Sequence, residues 1–146
     1  MNNIAEGFYV IGTIDPDANT TGTLTVDVID MMHWEQVMFV VMAGDLGSSA
    51  TLDFAVLGDV ASGGSFATAL TGKAITQLTQ AGSDSDKQAI VRVSADEVAA
   101  QSLRYIRGLL TTGTATSDSA VIALGKPRHY APATGRDLAT VDEIVL

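Results

Sequence analysis

Cysteine is absent from the 146 residues, which excludes disulfides, thiolate metal sites and cysteine nucleophiles. Charge is scarce: 17% of residues are Asp, Glu, Lys or Arg, against about 25% in an average domain. Basic residues are missing altogether from the first 72 positions, which hold nine acids. The remaining 74 positions hold eight of each sign, so the net charge of −9 belongs to the first half. A phosphate-binding protein needs a positive face. The only candidates for one are Arg92, Arg104 and Arg107, near Asp96 and Glu97, and no nucleic-acid partner is expected. Long apolar runs are lacking too. The longest, Val37 to Ala43, falls far short of the roughly 20 residues of a spanning helix. MNNIAEGFYV lacks the positive region and long apolar core of a signal peptide. The expectation is a soluble chain with no membrane partner and no secretion signal.

What is present is apolar. Hydrophobic residues make up 47% of the chain and the mean hydropathy is +0.27. A chain of this length is most simply one domain and buries roughly 68–70% of its unfolded surface without a staple. With so few charges on a small domain, part of the surface is expected to be covered by other chains. A homo-oligomer follows from that expectation.

The apolar residues fall into short alternating runs. GFYVIGTI (7–14), the segment from Leu24 to Ile29, QVMFVVMA (36–43) and TLDFAVL (51–57) read as strands, the last returning antiparallel after a loop over Gly44 to Ser49, and so do Ala74 to Leu78 and Gln88 to Val93. DPDANTTG (15–22) and SGGSF (62–66) read as turns. MMHWE (31–35) reads as a bend whose Met31, Met32 and Trp34 plug the end of the core. Leu103 to Pro132 reads as two strands joined through TTGTATSDS, an antiparallel hairpin apolar on both faces. Ser94 and Glu97 have capping-box spacing for one short helix. Seven or eight short strands with regular turn signals predict an all-β fold: an antiparallel β-sandwich, jelly-roll-like, with one or two short helices. The expected domain spans 1–133, followed by a C-terminal tail over 134–146.

Motifs for chemistry come close and fail. Asp15, Asp17 and Asn19 imitate the start of an EF-hand loop, but Thr20 replaces its glycine and Val26 its glutamate. Gly72-Lys73 echoes a P-loop, with Ala67 and Ala74 where glycine and Ser/Thr belong, so Lys73 reads as a strand-end charge. Gly63 to Ala67 misses a nucleophile elbow by one glycine. His33 reads as a packed residue at the end of the core and His129 as a surface residue, and two isolated histidines make no metal site. No catalytic residue, cofactor or metal is expected, and no enzyme.

ALTGKAITQLTQAGSDSDKQAIVRVSADEV and LRYIRGLLTTGTATSDSAVIALGKPRHYAPA resemble small structural proteins encoded beside the major capsid gene in tailed bacteriophages. The residues that carry the resemblance are Asp27–Asp30, Gly72–Thr79, Arg104–Arg107, Gly113–Asp118 and Ala120–Pro132, within roughly 25–133. His129 departs from the pattern, and the motifs are structural, so no active-site residue carries over. The resemblance implies a virion component, most simply an auxiliary capsid (decoration or cement) protein on the outer surface of the capsid. Its partners would be the major capsid protein and further copies of itself, with a trimer preferred because capsid lattices offer threefold positions. A head–tail connector or tail component, or a carbohydrate-binding β-sandwich, are the alternatives. The tail residues Leu138, Val141, Ile144, Val145 and Leu146 are the expected interface, laid across a neighbouring chain as a clasp.

Overall fold

The structure is a computed structural model and describes residues 7–129, 136, 137, 139–143 and 145. Among the described residues ten strands run in chain order: β1 Tyr9–Asn19, β2 Gly22–Thr25, β3 Ile29–Asp30, β4 Trp34–Leu46, β5 Thr51–Asp59, β6 Thr68–Ala74, β7 Leu78–Thr79, β8 Gln88–Ser94, β9 Tyr105–Gly113 and β10 Ser117–Pro127. A short helix, α1 (Ala95–Ala100), lies between β8 and β9. Its capping box forms as the sequence predicts: Ser94 Oγ accepts from Glu97 N and the Glu97 carboxylate accepts from Ser94 N.

The strands make two antiparallel sheets, in the orders β1-β10-β4-β8 and β2-β9-β5-β6. Beside β2, β3 also pairs with β9, and β7 extends β6 along β5. The pairs β1–β10, β2–β9, β4–β8 and β5–β6 are nested like the two arms of one long hairpin. Folding that ribbon over itself adds the β10–β4 and β5–β9 contacts and gives the two Greek keys of a jelly roll. The fold class predicted from the strand pattern is the one observed.

Two expected pairings are not formed. β9 and β10 do not make a hairpin, because β9 lies between β2 and β5 in one sheet while β10 lies between β1 and β4 in the other. Nor does β5 return beside β4; it crosses to the opposite sheet. In both cases the short connection turns a corner of the sandwich, which places consecutive apolar strands on facing sheets and buries both. Gly47 N donates to Thr116 O at 3.1 Å, so these two corners pack on each other.

The core lies between the sheets. Phe39 and Phe54, fully buried, meet across it with ring centroids 5.4 Å apart. Val37, Val41, Leu52, Val56, Val93, Ile106 and Leu110 surround them. Met31 and Trp34 close one end, as the bend reading predicts, whereas Met32 is 57% exposed. His33 departs from its packed expectation: its side chain is 43% exposed and lies 3.7 Å from Asp30. Two i-to-i+3 neighbours in a surface bend leave the imidazole in water.

Candidate interaction surface

The outer face of the β1-β10-β4-β8 sheet carries an apolar set on its two central strands. Alternation sends Val37, Phe39 and Val41 of β4 into the core and leaves Met38, Val40 and Met42 on the other side. On β10 the outward set is Ala120, Ile122 and Leu124, bounded by Asp118 and Lys126. Cross-strand register sets Ile122 beside Val40 and Val40 beside Ile90, while Leu124 lies beside Met38 and Ala120 beside Met42. Val10 of β1 continues the Leu124 row. Ile90 is 65% exposed and Met42 37%. A sheet face turned to water normally alternates to polar residues. Here the two central strands are apolar, with half-buried Met38, Val40, Ile122 and Leu124, while β8 sets Ile90 between Gln88 and Arg92 and β1 sets Thr13 beside Ile122.

At one end of this face an open depression of about 410 Å³ is lined by Pro16, Asp17, Ala18, Met42, Gly44, Asp118, Ser119 and Ala120. Its floor is apolar and its carboxylates are Asp17 and Asp118. At the other end stand Arg92, and Lys126, whose Nζ lies 2.9 Å from Glu35. Among the described residues there is no group of three or more His, Asp or Glu placed to hold a metal ion.

The three arginines considered as a phosphate site do not converge. Arg104 makes a bidentate pair with Asp30, at 3.0 and 2.7 Å. That hydrogen bond holds the Asp30 carboxyl below its ordinary value and raises Arg104. Arg107 lies on the other sheet with its guanidinium 4.5 Å from the centre of the Phe66 ring. Arg92 reaches Glu97 at 4.0 Å. Lys73 is more than a strand-end charge: its side chain is only 13% exposed and its ammonium lies 2.8 Å from Glu97. With the Ser94 backbone N–H, Lys73 lowers the Glu97 pKa to about 2. Asp59 is lowered by backbone N–H groups of Ala61 and then Phe66, which shape the 59–66 turn.

Of the five expected tail residues, Leu138, Ile144 and Leu146 lie outside the described residues. Val145 is 81% exposed and Val141 is partly buried. The opening of the tail touches its own domain. Asp137 N donates to Val10 O at 2.9 Å, and the Arg136 guanidinium sits 3.9 Å from the centre of the Tyr9 ring. Sequence reasoning pointed to strands apolar on both faces but did not single out the outer face of this sheet. The signal was present in the second parity of β4 and β10, Met38-Val40-Met42 and Ala120-Ile122-Leu124.

No protein-family model matches the chain, and no curated protein sequence matches it. Solved structures do. The T13 particle of infectious bursal disease virus aligns over 88% of this chain and 33% of that chain, at 13% identity and TM-score 0.47. Broad bean stain virus aligns over 88% of this chain and 90% of that chain, at 10% identity and TM-score 0.43. The adhesin domain of Lys-gingipain from Porphyromonas gingivalis aligns over 72% and 60%, at 17% identity and TM-score 0.35. The chain spans about a third of the length of the first of these. At 10–17% identity and TM-scores below 0.5 these likenesses carry no argument about function.

Proposed function

We propose that this chain is a virion structural protein, an auxiliary capsid protein that binds the assembled head and stabilises it through protein–protein contacts. The observation that carries the reading is the apolar outer face of the β1-β10-β4-β8 sheet, which water leaves unsatisfied and another protein surface would cover. The resemblance to small structural proteins encoded beside the phage major capsid gene suggests a capsid as that surface. Of the segments that carry it, Ala120–Pro132 supplies Ala120–Pro127 of β10 to this sheet. An acidic exterior, net −9, fits a protein that faces solvent on a particle rather than packaged nucleic acid. The carbohydrate-binding alternative has less support, because Trp34, Phe39, Phe54 and Phe66 are buried and, of the described aromatics, only Phe8 is exposed, at 46%, with Tyr9 and Tyr105 half-buried.

The test is co-sedimentation of purified protein with heads assembled from the major capsid protein encoded beside it. The expected result is saturable binding to heads and a higher temperature of head disruption. Binding to tails instead of heads would move the chain to the head–tail alternative, and binding to neither would end the virion reading.

A further inference from the structure

The apolar outer face is self-complementary about one row. Ile122, Val40 and Ile90 lie side by side on β10, β4 and β8. Along β4, Met38 and Met42 stand two residues to either side of Val40. Along β10, Leu124 and Ala120 flank Ile122 in the same way, and Lys126 and Asp118 follow four residues out. One end of the face therefore carries Arg92 and Lys126 against Glu35, and the other carries Asp17 and Asp118.

We infer that a second copy of this chain covers the face, packed sheet to sheet about a twofold axis that crosses the strands at the Val40–Ile122 row. Such an axis reverses the strand direction of the second copy. The isoleucines and valines of the row then meet their own counterparts. Met38 meets Met42, bulky Leu124 meets small Ala120, and Lys126 meets Asp118. An axis running along the strands would bring the two acidic ends together. Aligned sheets cross at about 30°, so the end pairs meet obliquely while the central row stays in contact. Every contact off the axis is made twice, as an isologous interface requires.

The size fits. From the Gln36 row to the Gly44 row the face runs about 27 Å along the strands and about 19 Å across four of them. That is roughly 510 Å² before side-chain relief is added, which brings it towards the low end of a specific interface at about 600–1,000 Å² per partner. One sheet face covers one other, so the assembly is a pair rather than the trimer expected from lattice symmetry. The inference takes from the capsid reading only that this face is covered; a pair formed through it leaves head binding to the other surfaces of the chain.

Sedimentation velocity of the full chain at micromolar concentration tests it, with twice the chain mass of 15.1 kDa as the expected result. Val40→Asp with Ile90→Asp is expected to weaken pairing about thirtyfold or more. Ile90→Asp alone, on an edge strand, serves if the double variant does not fold. Lys126→Asp or Asp118→Lys is expected to weaken pairing about fivefold at low salt, and the two together to restore it. A monomer at these concentrations, or a pair indifferent to Ile90→Asp, overturns the inference. A double charge exchange that fails to restore pairing overturns the axis. The same proteins added to heads keep the two readings apart. Pairing without head binding ends the capsid reading alone, and head binding by a monomer through this face ends the pairing alone.

Discussion

Lys73 Nζ lies 2.8 Å from Glu97 Oε1 and donates at the same distance to the carbonyl oxygen of Arg92. One ammonium thus joins β6 to the first turn of α1 and occupies a backbone acceptor on the open edge of β8. A lysine over an edge strand also hinders another strand from adding there. At the opposite edge of the sheet Asp137 N donates to the Val10 carbonyl oxygen of β1.

The Lys73–Glu97 contact makes stability depend on pH. The Glu97 pKa falls from 4.5 to about 2 on folding, so the folded state favours the carboxylate. Its contribution is complete above about pH 4.5 and is lost as pH falls towards about 2. Chemical denaturation across that range is expected to show a wild-type slope that Glu97→Gln reduces. At 38% side-chain exposure the effect is screened, and salt is expected to shrink it. Equal slopes in the two proteins would remove the role assigned to this pair.

Gly125 tests the end of the core. A Cβ there would stand 2.6 Å from Trp34 Cε3 and 2.8 Å from Ile11 Cδ1. Trp34 is 2% exposed and has no room to retreat. Gly125→Ala is expected to cost about 1–3 kcal/mol by overpacking, read as a lower denaturant midpoint. Gly63→Ala meets nothing within 4 Å and is the matched control.

How much of this was legible follows from what each signal measures. Period-two alternation located the cores of β1, β4, β5, β8, β9 and β10, and the Ser94–Glu97 spacing located α1. Alternation says that a strand has two faces; it is silent on which strand lies beside it. The hairpin expected from Leu103 to Pro132 failed for that reason: TTGTATSDS suits a sheet-to-sheet corner as well as a tight turn. β1 runs through Asp15-Pro16 because a register shift between Ile14 and Asp17 absorbs the proline, a tertiary solution that turn propensity does not foresee. β6 begins at Thr68, where threonines and glycine hide a strand that β5 defines. Apolar residues of both parities suit a strand covered on both sides as well as one with a face in an interface, so alternation does not say which sheet carries the uncovered face.

The nested pairing also sets a folding time. β1 finds its register opposite β10, Tyr9 against Gly125, so the sheet closes only after most of the chain is in place. Non-local sandwiches fold in milliseconds to seconds. Stopped-flow refolding monitored by Trp34 fluorescence is expected in that range, and complete refolding within about 100 microseconds would contradict the nested order.

The tail supplies the last test. Arg136 and Asp137 are held against β1 of their own chain through the Tyr9 ring and the Val10 carbonyl. A clasp over a neighbour must therefore begin after Asp137. Truncation behind Asp137 is expected to leave the β domain as stable as the full chain while weakening self-association or head binding, because it removes Leu138, Val141, Ile144, Val145 and Leu146 together. Removing 135–146 also strips the Asp137 hydrogen bonds from Val10 and Thr13. That deletion is expected to lower stability by roughly 1 kcal/mol or more in addition. Comparing the two separates a local role from an intermolecular one. If the shorter truncation assembles and binds heads like the full chain, the apolar tail residues serve their own domain and the clasp is wrong.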